Sequence, residues 1–215
     1  DLKHVGDATL ESFEASFNTL KSYLNKQPSE HLAYEYDQIV SYGELWSTLI
    51  FSAAVQHSGI EAMWFDARRI IRTSNHHQEA RVEWDKTKVL TLGSIGAALT
   101  KDPQLHCAVT QGFIGHTDTG MTTTLGREGS DFSAAILAWA LDAQEVWIWK
   151  DVPGLLNADP KVFKDPIKID QISYKEAIEL SYFGASVIHP KTLKPLQNKE
   201  IPLRIKSFVN PQEKG

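Results

Sequence analysis

Short apolar runs rich in β-branched and aromatic residues alternate along this chain with stretches whose apolar residues recur every three or four positions. That alternation restricts the fold more than any other feature. Ile60 to Phe65 reads as a strand closed by Asp66, and Leu105 to Thr110 and Val146-Trp147-Ile148-Trp149 read as buried strands. Leu203-Arg204-Ile205-Lys206 reads as a closing strand. Between them lie helical stretches. Leu10, Phe13, Phe17, Leu20 and Leu24 share one helix face and are expected in a core, with Asp7 or Thr9 as the cap. A second helix is predicted from His31 to Val40. A third carries Leu45, Leu49 and Ala53 and stops at Gly59. Thr87 to Leu99 is helical in pattern although it contains Gly93 and Gly96. Phe132, Ala135, Ile136, Trp139 and Ala140 form a clear stripe, and Tyr174–Tyr182 and Pro190–Asn198 complete the helices. Gln111 to Glu128 reads as a long segment rich in Gly and Thr. Strands of buried type alternating with helices predict an α/β domain with a mainly parallel sheet. With no repeat and no clear linker, one domain is the simplest account.

Composition removes several classes of function. The chain has 215 residues, 42% hydrophobic and 23% charged, the range of an ordinary folded domain. A net charge of -5 and a pI near 5.9 argue against a nucleic-acid footprint. No run of about 18 apolar residues suggests a membrane span. The first residues are not a signal peptide and lack an initiator Met, so the chain is expected to be a piece of something longer. The single cysteine, Cys107, lies in an apolar run and reads as a buried core thiol; one cysteine allows no internal disulfide and fits a cytoplasmic home. Adjacent His76 and His77 point in different directions and read as exposed rather than as metal ligands. The six tryptophans read mostly as core, and His189-Pro190 as a helix start.

Ligands of α/β sheets gather beyond the carboxyl ends of strands. Two such places stand out. After Leu105–Thr110 the chain reaches Thr122-Thr123-Thr124-Leu125-Gly126-Arg127-Glu128-Gly129-Ser130-Asp131 and then the striped helix. Gly126 and Gly129 permit close backbone approach. Ser130 is a candidate cap, and a helix start suits an anion. Arg127 offers a planar fork for a carboxylate; a capped helix with an exposed Arg is the alternative. The second place is Lys150-Asp151-Val152-Pro153-Gly154 with Asn157-Ala158-Asp159-Pro160-Lys161 beyond it. Lysines here suit phosphates, and Asp151 suits a ribose hydroxyl or a metal; a solvated turn is the alternative. No Gly-x-x-x-x-Gly-Lys-Ser/Thr pattern is present.

These residues make up a recognisable set. Ser41-x-Gly43-Glu44-Leu45-x-Ser47-Thr48, Trp64-Phe65-Asp66-x-Arg68, Gln111-Gly112-Phe113-Ile114-Gly115 and the Thr122–Asp131 motif resemble the signatures of the aspartate kinase family of amino-acid kinases. So do Asp151-Val152-Pro153-Gly154, Asp159-Pro160-Lys161 and Phe183-Gly184-Ala185-x-Val187-Ile188-His189-Pro190. They stand in family order over roughly residues 35 to 210. The resemblance implies a partial amino-acid-kinase fold, a three-layer α/β/α sandwich with a mainly parallel sheet. The aspartate side would fall at about 1–59 and the nucleotide side at about 60–215. It implies transfer of the ATP γ-phosphoryl group to the β-carboxylate of L-aspartate, with Mg²⁺, as the entry to lysine, threonine and methionine synthesis in a cytoplasmic homo-oligomer. Carried onto this chain, Arg127 would clamp the substrate α-carboxylate and Glu44 would pair with its ammonium. Phe113 would line the site and Ser130 would bond the substrate. Asp131 would orient phosphate-binding groups rather than act as a base, and Lys150, Asp151 and Lys161 would face the nucleotide.

The chain also departs from the family pattern. The family's amino-terminal Lys-Phe-Gly-Gly phosphate motif is absent, so the chain alone is expected to be inactive; the regulatory ACT domains that usually follow are not seen either. Ser186 stands where the family often has lysine, and Leu156 where it often has tyrosine, which alters the expected nucleotide contacts. The alternatives are a truncated domain serving assembly or regulation and another enzyme of the same fold, such as a glutamate or uridylate kinase.

Overall fold

In the computed structural model, which describes residues 6–158, 162–182 and 187–214, the first apolar stripe becomes α1 (Asp7–Leu24). Gly6 precedes it without a side-chain cap, so neither Asp7 nor Thr9 plays that part; Asp7 lies in the first turn, where it complements the helix dipole. No α1 residue is buried. The stripe was expected in a core, but the helix packs on its neighbour through only part of its apolar face. Phe13 and Phe17 lie against Trp46, with ring centroids 5.2 and 6.0 Å away, while Phe17 and Leu24 remain exposed.

The second and third predicted helices are a single one, α2 (Leu32–His57). Gly43 sits in its interior, where glycine costs up to about 1 kcal/mol against alanine. Burial of Asp37, Ser41, Leu45, Ser52 and Ala53 along one side outweighs that penalty. Gly59, at φ +86°, ends the helix just beyond Ser58.

β1 (Ala62–Phe65) pairs in parallel with β2 (Cys107–Thr110), Ala62 opposite Cys107 and Phe65 opposite Thr110. Parallel pairing requires a crossover. It runs through a 3₁₀ turn (Ala67–Arg69), α3 (Trp84–Thr91), a π-helical turn (Leu92–Gly96) and α4 (Ala97–Lys101). The helix expected over 87–99 is present and runs without a gap from Trp84 to Lys101, widened by one π turn that holds Gly93 and Gly96. β2 buries only Val109, and Cys107 is half-buried rather than a core thiol. The Gly- and Thr-rich segment over 111–128 holds a hairpin: β3 (Ile114–His116) pairs antiparallel with β4 (Thr122–Thr124), Ile114 opposite Thr124. All three β4 threonines are buried.

The chain separates into two compact units between Ser130 and Asp131, within α5 (Gly129–Leu141). In the second unit, β5 (Val146–Lys150) pairs in parallel with β6 (Leu203–Ser207). Val146 and Ile148 of β5 join Ala135, Ile188, Leu193 and Leu196 in a core that α6 (Tyr174–Tyr182) and α7 (Pro190–Asn198) help to enclose. His189 caps α7, its Nδ1 accepting from Lys191 N at 3.1 Å, with Pro190 in the first turn as expected. β5 is half-buried, not buried: Trp147 and Trp149 are 45% and 43% exposed, and the Lys206 ammonium lies 5.0 and 5.1 Å from their rings. Among the described residues two of the three strand pairs are parallel, which gives the expected α/β class. No described helix is long and apolar enough to cross a membrane.

Candidate active site

Helix α2 is the rod on which the first unit's site is built. Asp37, Ser41 and Leu45 point inward at four-residue steps, and Glu44 lies two turns on from Asp37 on the same side. Tyr42 and Leu45 flank Glu44 and belong to a cluster with Ala67, Ile114, Trp64 and Phe113. Burial pushes the Glu44 carboxyl above the usual carboxylate range, and no side chain among the described residues pairs with it. A carboxylate that is partly desolvated and unpaired is poised for a cation.

The end of β2 is tied to this rod. Gln111 is buried; its Oε1 accepts from Ala67 N at 2.7 Å and its Nε2 donates to Thr48 Oγ1 at 2.7 Å. Thr48 also accepts from Trp64 Nε1 at 3.1 Å and donates to Glu44 O at 2.9 Å. The chain then makes a γ-turn. Ile114 N donates to Gly112 O at 2.8 Å around Phe113, whose φ is +70°. Such a turn at a bulky residue stores about 1–3 kcal/mol of strain and is held by Gln111 on one side and by Leu125 N donating to Phe113 O at 2.8 Å on the other. The start of α5 lies directly on this turn. A Cβ at Gly129 would stand 2.5 Å from Phe113 Cδ2, and one at Gly112 would stand 2.8 Å from Ser130 Cα. The two motifs thus touch backbone to backbone through their glycines.

Arg127 leads into that helix between Gly126 (φ +75°) and Glu128 (φ +52°). It is exposed, and no hydrogen bond or ion pair engages its guanidinium among the described residues. Ser130, read as the cap, lies instead inside the first turn, because α5 begins at Gly129; it is exposed, stacked on Gly112. In the first unit Ser130 and Phe113 therefore meet at one turn, Arg127 stands three residues before Ser130, and Glu44 precedes Leu45, whose side chain clusters with Ile114 and Phe113.

The remaining predicted residues lie in the second unit. Asp131 and Lys150 are brought together: Lys150 Nζ is 2.8 Å from Asp131 Oδ2, at an angle too oblique for a hydrogen bond, and donates to Val187 O at 2.6 Å. Asp151 follows Lys150 in an exposed bend. Lys161 and Ser186 lie outside the described residues. A cavity of about 740 Å³ opens beneath Gly154 and Leu155, lined by Ile169, Tyr174, Ile188 and Leu203, and includes neither Lys150 nor Asp151. Among the described residues no three His, Cys, Asp or Glu side chains converge as a metal site.

Residues 4–207 match the sequence pattern of the amino acid kinase family. The chain belongs to that family. It is 44% identical over 181 residues to the lysine-sensitive aspartokinase 3 of Escherichia coli K12, covering 83% of this chain and 39% of that protein. It is 38% identical over 184 residues to the chloroplastic aspartokinase 1 of Arabidopsis thaliana, covering 83% of this chain and 31% of that one. The crystal structure of E. coli aspartokinase III in complex with aspartate and ADP superposes with a TM-score of 0.78 at 37% identity, over 96% of this chain and 44% of the other. The chain spans about two fifths of the length of these E. coli relatives.

Two groups in this amino acid kinase domain escaped the sequence reading. His77 is not a free surface histidine: its Nδ1 bonds the fully buried Asp37 at 2.8 Å, and Tyr34 packs edge-on against its ring at 5.2 Å. Asp37 itself carries no motif. Its one signal is position, an acid four residues before Ser41 and seven before Glu44, on the inward side of a helix.

Proposed function

We propose that this chain is the catalytic part of an aspartate kinase, transferring the γ-phosphoryl group of ATP to the β-carboxylate of L-aspartate. The observation that carries the reading is that the first unit holds two charges of opposite sign that no side chain engages among the described residues: Glu44, partly desolvated, and Arg127, exposed. An α-amino acid presents the complementary pair, an ammonium and a carboxylate. Arg127 holds the α-carboxylate through two parallel N–H donors, Glu44 takes the ammonium, Ser130 adds a hydroxyl, and Phe113 bounds the side chain. The E. coli relative is named as a complex with aspartate and ADP, which supports an amino-acid ligand here.

The nucleotide falls to the second unit in this reading. An ammonium has three donors; Lys150 gives one to Val187 and meets Asp131 as an ion pair without a hydrogen bond, so donors remain for a phosphate oxygen. Asp151 and Lys161 complete the polar set. The residues fit a nucleotide whose Mg²⁺ arrives with the phosphates, since Mg²⁺ is held mainly by phosphate oxygens and water in such sites. ATP supplies the phosphoryl group. A β-carboxylate oxygen forms the new O–P bond while the bond from the γ-phosphorus to the bridging oxygen breaks, giving 4-phospho-aspartate and ADP. The nucleophile is already ionised at neutral pH, so no general base is needed. Asp131 keeps Lys150 in place, and the work of the site is positioning and charge neutralisation. The single cysteine, which allows no internal disulfide, supports a cytoplasmic enzyme.

The test is ATP- and Mg²⁺-dependent acyl phosphate formation by the full gene product, trapped with hydroxylamine, with aspartate and glutamate in parallel. Activity with aspartate that falls with Arg127→Ala, by about 2–5 kcal/mol of lost binding, supports the assignment. A folded protein inert toward both substrates refutes it.

A further inference from the structure

We infer that Asp37 is a positioning residue of the amino-acid site, holding the Arg127 loop in register with Glu44. The inference rests on the reading of Glu44 and Arg127 given above.

Asp37 is 0% exposed, and an ionised carboxylate taken wholly out of water is costly unless donors surround it. Here they do. Oδ1 accepts from Thr124 Oγ1 at 2.7 Å. Oδ2 accepts from His77 Nδ1 at 2.8 Å, Gln78 N at 3.0 Å and Thr124 N at 3.1 Å. Beside it, Gln38 works the free edge of the same strand, its Nε2 donating to Thr122 O at 2.8 Å and its Oε1 accepting from Thr122 N at 3.3 Å. Both groups belong to α2. The helix that carries Glu44 therefore holds β4, the strand that ends three residues before Arg127.

The same carboxylate also fixes the floor under that loop. Gly126 passes so close to Gln78 that a Cβ on it would stand 2.9 Å from Gln78 O. Gln78 is in the left-handed region at φ +68°, a conformation its N–H bond to Asp37 helps hold. Asp37 thus secures both the strand that enters the Arg127 loop and the turn beneath it. Glu44 lies seven residues along the same helix, about 10.5 Å at 1.5 Å per residue. One rigid rod sets the position of both charges, and with it the span available to the ammonium and α-carboxylate of the substrate. An apolar residue at 37 would fill the space but would hold none of these groups.

The experiment measures steady-state kinetics and thermal stability on the full gene product carrying Asp37→Asn, Thr124→Val, Arg127→Ala, Arg127→Lys and the double variant Asp37→Asn/Arg127→Lys. Asparagine replaces one of the two acceptor oxygens with an NH2 donor among groups that donate to both of them. Valine at 124 removes only the hydroxyl donor and is the milder change should Asp37→Asn fail to fold. The expected result is a rise in the aspartate KM of about ten- to hundred-fold for Asp37→Asn, as small misplacements of a binding group produce, and a smaller rise for Thr124→Val. The KM for ATP stays unchanged, and the double variant shows little more effect on aspartate than Arg127→Lys alone. A residue that only holds the fold together would lower stability and active fraction and leave the aspartate KM alone; that result in the variants that fold, or effects that multiply in the double variant, overturns the inference. If Arg127→Ala itself leaves the aspartate KM unchanged, the amino-acid reading falls as well. If it raises that KM while Asp37→Asn and Thr124→Val do not, only the role of Asp37 is lost.

Discussion

Gly112→Ala tests whether the Phe113 turn and the start of α5 form one packed object. Gly112 is not in the left-handed region, so alanine meets no backbone penalty there and the effect is purely steric. The added Cβ would stand 2.8 Å from Ser130 Cα, 2.9 Å from Ser130 Cβ and 3.0 Å from Ser130 Oγ. Carbon atoms in contact settle about 3.5–4.0 Å apart, so the two backbones must part by about 0.7 Å or more. Ser130 cannot yield by changing rotamer, because its Cα is the nearest atom. Overpacking of this kind costs about 1–3 kcal/mol; at about 2 kcal/mol the melting temperature of a chain this size falls by about 4–8 °C. The displaced group is the helix start that carries Ser130, three residues after Arg127. The kcat/KM for aspartate should therefore drop about ten- to hundred-fold. Differential scanning calorimetry and initial-rate kinetics read the two effects. Gly43→Ala is the control: a Cβ there meets nothing within 4 Å, and in a helix interior it should stabilise by about 0.5–1 kcal/mol. A Gly112→Ala protein with wild-type melting and wild-type aspartate kinetics would refute the packing argument.

Glu44→Gln should trade function for stability. Burial raises the Glu44 carboxyl above its ordinary value of about 4.5, so between the ordinary and the raised value the folded state binds more protons than the unfolded one, and stability falls as pH rises through that window. At pH 8 the neutral glutamine should be at least as stable as wild type, the advantage shrinking below about pH 4.5, while aspartate binding is lost; denaturant unfolding at the two pH values decides, and a less stable variant at pH 8 contradicts the assignment of the shift to burial. Lys150→Met leaves the mostly buried Asp131 carboxylate without its cation and gives up the bond to Val187 O. A loss of about 1–3 kcal/mol in urea unfolding is expected, largely recovered in Lys150→Met/Asp131→Asn, and no recovery in the double variant would mean that the ion pair is not the source.

The strongly periodic elements were legible because the patterns that mark them are the patterns that pack. The stripes at Tyr174–Tyr182 and Pro190–Asn198 became helices over those spans, and the four apolar runs became the parallel strands. What the periodicity missed was decided by tertiary contacts. Gly43 looked like a break between two helices, yet α2 runs through it because buried side chains on either side hold one axis. The hairpin over 114–124 carries short threonine- and glycine-rich strands, a composition to which the sequence reading gave no element; Asp37 and Gln38 supply partners for its edge. Trp147 and Trp149 looked like core, but a half-buried strand shows one of its faces to solvent. In the candidate site, Arg127 was singled out by its place before a helix start and Glu44 and Phe113 by the family resemblance; the γ-turn around Phe113 was not legible, since a left-handed phenylalanine has no signature in sequence.

The two acids of α2 show how one helix can use the same chemical group in opposite ways. Asp37 and Glu44 lie on the same side, two turns apart. Asp37 is fully buried and surrounded by donors from His77, Gln78 and Thr124; its charge is satisfied internally, so it can only organise. Glu44 is partly desolvated with no partner among the described residues, and burial raises its proton affinity; its charge is unsatisfied until a cation arrives. A saturated acid resists displacement, because each bond lost exposes a buried charge. An unsaturated one offers its desolvation cost as the gain a ligand recovers on binding. Joining the two by a single rigid helix couples the strength of the first to the placement of the second, which is why a change at Asp37 should be felt as weaker aspartate binding rather than as a general loss of fold.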